Sequence, residues 1–229
     1  MTAELSGEVL TRSVEDYLKA IYRLSDGRDG QPVSTSQIAQ LLDLSAPSVS
    51  GMLRRLSEQG LVQHAPYRGV ELTAEGRRVA LRMLRRHRLL EAYLVAFLGY
   101  TWDTVHAEAE RLEHAVSDML IERMAHALGH PRVDPHGDPI PAADGSIEED
   151  IHVPLTDVHE GDTVTICRAD TTDDSLLRYI ARSALMPGTR VTVLEQQPFN
   201  GPIRLDVGGT ERTIGHELAR ILHCARADG

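Results

Sequence analysis

The sequence predicts an α+β multidomain chain, with helices and a short strand pair first, a helical middle, and a small β-barrel-like module last. Three observations predict it. Apolar residues recur at helical spacing as far as about residue 128, broken only by short turn-rich stretches. A stretch over 129–154 then carries Pro131, Pro135, Pro139, Pro141 and Pro154 among Gly and Asp, as an extended tether does. Beyond it come the β-like runs DTVTICRA, TRVTVLEQ, PIRLDVGG and TERTIG, with one helical segment, LLRYIARSAL, among them.

The first helix is read from VEDYLKAIYRL, whose apolar positions 14, 17, 18, 21, 22 and 24 share one face, with Ser13 as a suitable N-cap. SDGRDGQP ends it. A second helix is expected from about Ser34 to Leu42, capped by Ser34 or Thr35, with Ile38, Ala39, Leu41 and Leu42 inward. After the turn Asp43–Leu44, SAPSVSGMLRRLSEQG forms a third. Ser45 caps it, and Pro47 sits in its first turn, where a missing N–H costs nothing. Val49, Met52, Leu53 and Leu56 make its inner stripe, and Gly60 ends it. LVQHAPYRGVELT reads as two strands around a turn tipped by Tyr67 and Arg68. This is the order of a winged helix-turn-helix. Ser45, Ser48, Ser50, Arg54 and Arg55 face outward from the third helix, as contacts to a DNA groove and its phosphates require.

From Ala74 to about Leu128 the pattern is helical almost throughout. One long helix or a helix pair starts at Ala74. Trp102 to Leu128 reads as another helix, with Val105, Ala109, Leu112, Val116, Met119, Leu120 and Met124 at core spacing. Long helices beside a winged helix suit a homodimer interface, since a palindromic site needs a two-fold protein. By sequence character the chain divides into 1–74, 75–136, a tether at 137–157, and 158–229.

Composition narrows the function classes. Apolar residues make up 41% of the 229, enough for packed cores. No run approaches the ~18–20 apolar residues of a membrane span, and MTAELSGEVLTRS lacks the features of a signal peptide. A cytoplasmic protein without a membrane partner is expected. The two cysteines, Cys167 and Cys224, are neither a disulfide framework nor a metal knuckle, so any metal is held by oxygen and nitrogen. The net charge of −10 is unevenly spread. Between Gly51 and Leu90 stand nine arginines against Glu58, Glu71 and Glu75, whereas Asp134 to Asp174 holds twelve acidic residues against Arg168. A basic segment can meet phosphates inside an acidic protein because salt screens exposed charges within about 8–10 Å.

The chemistry concentrates in HAEAERLEH. On a helix, His106, Glu110, Glu113 and His114 fall within about a 100° arc. His87 and Glu91 repeat the theme at i and i+4, and Asp16 interrupts the apolar face of the first helix. Carboxylates and imidazoles gathered in a helical bundle are costly unless a cation sits among them. His126, His130, His136, His152 and His159 read as surface residues, and His64 as part of the wing. There is no HExxH or nucleophile motif, so an enzyme is not expected. A winged-helix regulator of an organic ligand, with these charges merely solvated, is the rival reading.

SVEDYLKAIYRL, SAPSVSGMLRRLSEQGLV, LTAEGRR, RRHRLLEAYL and HAEAERLEHAVSD, in this order, resemble the diphtheria toxin repressor and manganese transport regulator family of metal-dependent transcriptional regulators. DPIP and the β-rich tail are similar to the tether and SH3-like (FeoA-type) third domain of its three-domain type. The resemblance implies a repressor that binds palindromic operators of metal-transport genes as a dimer when metal is bound. It implies a primary metal site of Asp16, Glu110, Glu113 and His114. A second site would take His87, Glu91 and His106 with a third-domain acceptor, Asp173 or, less favoured, Asp174. At the DNA it adds Ser13, Ser36, Pro47 and Gly51 to the outward serines, with Arg55 and Arg68 on phosphates. Iron-responsive members carry methionine and cysteine where Asp16 and Glu110 stand. Ligands limited to oxygen and imidazole favour a harder ion, so Mn(II) is expected and Fe(II) is the alternative. Lys19 stands where two-domain manganese members have a glutamate, which points to two separated sites. Gly51 replaces a base-reading glutamine of the iron branch, so a different operator is expected.

Overall fold

The computed structural model describes residues 10–25, 32–65, 68–148 and 152–226, so Tyr67 lies outside the described residues. The chain forms two compact units. Met1–Arg86 with Pro141–Ser146 makes the first, and His87–Ile140 with Ile147–Gly229 the second. The division falls inside a continuous helix.

In the first unit, α1 (Arg12–Ser25), α2 (Thr35–Leu42) and α3 (Ala46–Glu58) precede an antiparallel pair, β1 (Val62–Ala65) and β2 (Gly69–Leu72). Local chemistry explains the breaks. Ser34 forms a capping box: its Oγ accepts from the Gln37 amide, and its own amide donates to Gln37 Oε1 at 3.1 Å. Asp43 closes α2 in the left-handed region at φ 52. Ser45 Oγ then accepts from Ser48 N at 3.3 Å to open α3. Leu18, Ile21, Ile38, Val49, Leu53 and Leu56 are fully buried, whereas Met52 of the expected inner stripe of α3 is half-buried. Two expectations fail here. Ser13 lies inside the first turn of α1, which starts at Arg12, and Leu41 is 46% exposed instead of inward. The next helix, α4 (Ala74–Leu98), is 25 residues long. Its Gly76 is required by packing: a Cβ there would lie 2.0 Å from the Leu61 carbonyl oxygen.

The second unit holds the C-terminal part of α4, α5 (Val105–Leu112), α6 (Asp118–Ala127) and a six-stranded sheet. Trp102–Leu128 is therefore not one helix. Ser117 accepts from Leu120 N and starts α6 afresh, which leaves Met119 and Leu120 exposed instead of in the core. The sheet runs β3 (Val153–Pro154), β8 (Leu222–Arg226), β4 (Thr163–Ala169), β5 (Arg190–Gln196), β6 (Ile203–Val207), β7 (Thr210–Ile214), all neighbours antiparallel. α7 (Asp174–Arg182) and α8 (His216–Ile221) complete it. Its core includes Leu155, Ile166, Leu177, Val193, Leu205 and Cys224, and Trp102 from the α4–α5 loop packs into it.

The supposed tether is partly folded. Val133 bridges Pro139, and Asp134 Oδ1 accepts from the amides of His136 and Asp138 at 2.8 and 3.0 Å. Gly137 is held at φ +87, and a Cβ on it would lie 1.9 Å from the Cys167 carbonyl oxygen. The His136 carbonyl accepts from Ala169 N at 3.0 Å, so this turn is fastened to β4.

Candidate metal centre and nucleic-acid face

α4 supplies His87, Arg88 and Glu91, while α5 supplies His106 and Glu110 and ends at Glu113, its C-cap. The helical spacing brings them together. His87 Nδ1 lies 2.6 Å from Glu113 Oε2, and its Nε2 lies 2.9 Å from Glu91 Oε1 and 3.0 Å from His106 Nδ1. His106 Nδ1 is 3.0 Å from the same Glu91 oxygen. Glu110 Oε1 stands 3.9 Å from His87 and 3.8 Å from His106. His114 Nε2 is 3.4 Å from Glu113 Oε1. Glu113 is 0% exposed, Glu91 2% and His87 5%.

A second layer lies behind Glu91. His136 Nδ1 is 3.6 Å from Glu91 Oε2, and its Nε2 lies 2.7 Å from the Trp102 carbonyl, which can only accept. Arg88 faces Asp134 at 3.8 Å and Asp138 at 3.5 Å, and Arg168 reaches Asp138 at 2.7 Å. Burial alone would raise the Glu91 carboxyl. The charge of His87 and the contacts from His106, His136 and His87 outweigh it and hold Glu91 well below the usual carboxylate range. Burial, reinforced by Asp138 and Glu91, lifts Asp134 to about 8 against the pull of His136 and Arg88. Burial opposes a charged His136, yet Glu91, Asp134 and the Trp102 carbonyl raise it to about 9.

The structure thus brings His87, Glu91 and His106 together, as expected for one ligand set. It also draws in Glu110 and Glu113, which the sequence reading assigned to the other. Asp16 stands on α1 in the first unit, 3.9 Å from Arg12, whereas the other expected ligands stand in the second. Asp173, the acceptor expected from the third domain, stands at the start of α7. It is the exposed N-cap of α7, its Oδ1 accepting from Ser175 N and Leu176 N at 2.7 and 3.0 Å. His136 and Asp134, read from sequence as surface and tether, are buried beside Glu91. The missed signal was DPHGDP: an Asp two residues before a His and a Gly is a turn former that can fold inward. With imidazole and carboxylate donors, no sulfur and deep burial, the cluster fits a divalent cation of oxygen and nitrogen preference.

The nucleic-acid face is the opposite case. Ser36, Ser45, Pro47, Ser48, Ser50, Gly51, Arg54, Arg55 and Arg68 are all exposed, as is Ser13 on α1. An open groove of about 620 Å³ runs along α3, lined by Ser50, Gly51, Arg54, Ser57, Glu58 and His64. Among the described residues a Cβ on Gly51 would meet nothing within 4 Å, so none of them requires its small size.

Comparison with known proteins agrees with this division. Family models match in sequence order: the N-terminal DNA binding domain of iron dependent repressors at residues 9–70, their metal binding and dimerisation domain at 73–142, and the FeoA domain at 153–226. The iron-dependent repressor IdeR of Mycobacterium leprae is 34% identical, covering 92% of this chain and 95% of its own. The diphtheria toxin repressor of Corynebacterium efficiens is 29% identical over 96% and 98%. Among solved structures, a manganese-dependent transcriptional repressor in complex with manganese is 42% identical, with a TM-score of 0.87, covering 93% of this chain and 100% of that one. The manganese regulator SloR is 35% identical, with a TM-score of 0.77 over 95% and 100%. The chain belongs to the iron-dependent, or diphtheria toxin, repressor family of metal-dependent transcriptional repressors.

Proposed function

We propose that this chain represses transcription when Mn(II), in preference to Fe(II), fills its metal sites. The observation that carries this reading is the buried set of His87, Glu91 and Glu113, with half-buried His106 beside them, in a chain that opens with a winged helix. Charge buried this deeply costs several kcal/mol per ion unless it is compensated. The absence of sulfur donors from the expected ligands favours manganese, and the similarity to a manganese-dependent repressor supports it. The similarity to IdeR keeps iron as the alternative. The primary ligands are Asp16, Glu110, Glu113 and His114, and His87, Glu91 and His106 form the second set. When bound, the ion supplies a cross-link between carboxylates and imidazoles of different helices. Fixing α1 in this way sets the spacing of two recognition helices, so that a homodimer reads successive major grooves of a palindromic operator. Phe97, Leu98, Met119 and Leu120, exposed at 42–68%, are apolar surface suited to the partner protomer. Metal-transport genes are the expected targets, and the cytoplasm the expected site of action. No helix of the described residues is long and apolar enough to cross a membrane.

The test is operator affinity measured with Mn(II), Fe(II), Zn(II) and chelator. Binding is expected with Mn(II) and lost with chelator, and affinity that survives exhaustive chelation rejects the reading.

A further inference from the structure

We infer that Arg54 is the side chain of α3 that selects a base, donating its guanidinium fork to a guanine in the major groove. This rests on the repressor reading above and deepens it by naming the base and the residue that chooses it. Position is the first reason. Opposite the buried line of Val49, Leu53 and Leu56, the outermost line of α3 is Pro47, Gly51, Arg54 and Glu58, at i, i+4, i+7 and i+11. A helix lying in the major groove turns this line toward the base edges and its flanks toward the phosphates. Pro47 and Gly51 bring no side-chain donor, and Glu58 has the sign of charge that DNA repels. Arg54 is the one donor on the line. Arg55, next in sequence, is turned about 100° away and sits on a flank.

Space is the second reason. Glycine inside a helix costs stability relative to alanine, and no described residue comes within 4 Å of a Cβ on Gly51 to require it. Helical side chains lean toward the helix N-terminus and cover the turn before their own Cα. For Arg54 that turn is Ser50 and Gly51, about 4.5–6 Å back along the axis. Bare backbone at Gly51 lets the guanidinium lie there, in the open groove that Ser50, Gly51, Arg54 and His64 help to line. A side chain at 51 would reach the bases first and hold the arginine off. Freedom is the third reason. Arg78, Arg111 and Arg220 each pair with a glutamate three residues earlier on their own helices. Arg54 is exposed and has no hydrogen bond or ion pair among the described residues, so its fork is open to an external acceptor. Guanine fits that fork: its N7 and O6 accept side by side, and no other base shows two acceptors in the major groove.

The test selects binding sites for the full-length protein, saturated with Mn(II), from a randomised double-stranded DNA library, and then measures affinity for the selected sequence. That sequence is expected to hold a fixed G·C pair in each half-site. Changing the pair to A·T should weaken the wild type by roughly 10- to 100-fold and Arg54→Ala by under about threefold. Replacing the guanine by 7-deazaguanine, which lacks the N7 acceptor, should likewise weaken the wild type and leave Arg54→Ala unmoved. Gly51→Leu should lose the same preference, with thermal unfolding showing that both variants fold as the wild type does. An Arg54→Ala protein that keeps the G·C preference overturns the inference. So does one weakened alike on every sequence with a salt slope lower by about one, since Arg54 is then a phosphate contact. A wild type that selects no sequence in Mn(II) overturns it together with the repressor reading.

Discussion

The serines and arginines of α3 and the carboxylates and imidazoles of α4 and α5 are both polar stripes on helices, yet they are opposite in setting. Ser45, Ser48, Ser50 and Arg55 are solvated, and the hydrogen bonds between Ser45 and Ser48, at 2.8–3.3 Å, are local caps. Glu113, Glu91 and His87 are sealed from water, His87 bonded to Glu113 and Glu91 to His106 across helices. On the first stripe a side chain can be exchanged at little cost to the fold, within about ±0.5 kcal/mol, so its residue types are free to follow an external ligand. On the second, every removal leaves a buried partner unsatisfied at about 1–3 kcal/mol, so function and stability are entangled. A polar stripe is thus informative in proportion to its burial, which sequence periodicity alone does not report.

The sharpest break of this contrast is Glu113→Gln. It keeps the shape but removes the charge beside His87, and operator affinity in Mn(II) should fall by roughly 100-fold, the upper range of allosteric coupling. Fluorescence anisotropy with labelled operator measures it, and a fall of under threefold would reduce the cluster to a structural role. Next in size is Asp16→Met with Glu110→Cys. Supplying softer donors should move activation from Mn(II) toward Fe(II) by about tenfold in the affinity ratio. Equal responses of both proteins to each saturating ion would remove these side chains from selectivity.

On the exposed stripe, Arg55→Ala or Arg68→Ala should weaken binding to all sequences alike. The slope of log affinity against log salt should flatten by about one, with unchanged melting. A shifted base preference at unaltered slope would move Arg55 from phosphate to base. The smallest effect is expected at the thiols. Burial, then the neighbouring Cys167, pushes the Cys224 thiol up to about 12, so an alkylating reagent should label Cys167 first and Cys224 only after unfolding. Equal labelling rates in the native protein would show that the sheet opens.

The winged helix was legible because its signals are local: the Ser34 and Ser45 caps, the Val49–Leu53–Leu56 stripe and the Gly60 stop all act within a few residues. The metal cluster was half legible. His87 with Glu91, and His106 with Glu110, show themselves at i and i+4, but which carboxylate serves which imidazole depends on how α4 meets α5. Ser117 does not stand out as a cap in sequence because the apolar spacing of Val116, Met119 and Leu120 runs on across it. Asp173 is ambiguous in sequence, since an aspartate before a helix can cap, coordinate or do both; in the structure its Oδ1 caps α7. Asp134 and His136 escaped because prolines on either side made their stretch look solvated.

For protein engineering, the turn at Val133–Pro139 settles where relatives can be recombined. A chimera that takes its β4 from one parent and this turn from another must still seat a residue without a side chain against the Cys167 carbonyl. Crossover points therefore belong outside 133–169, and swapping the sheet module alone, cut at the prolines, would separate two surfaces made for each other.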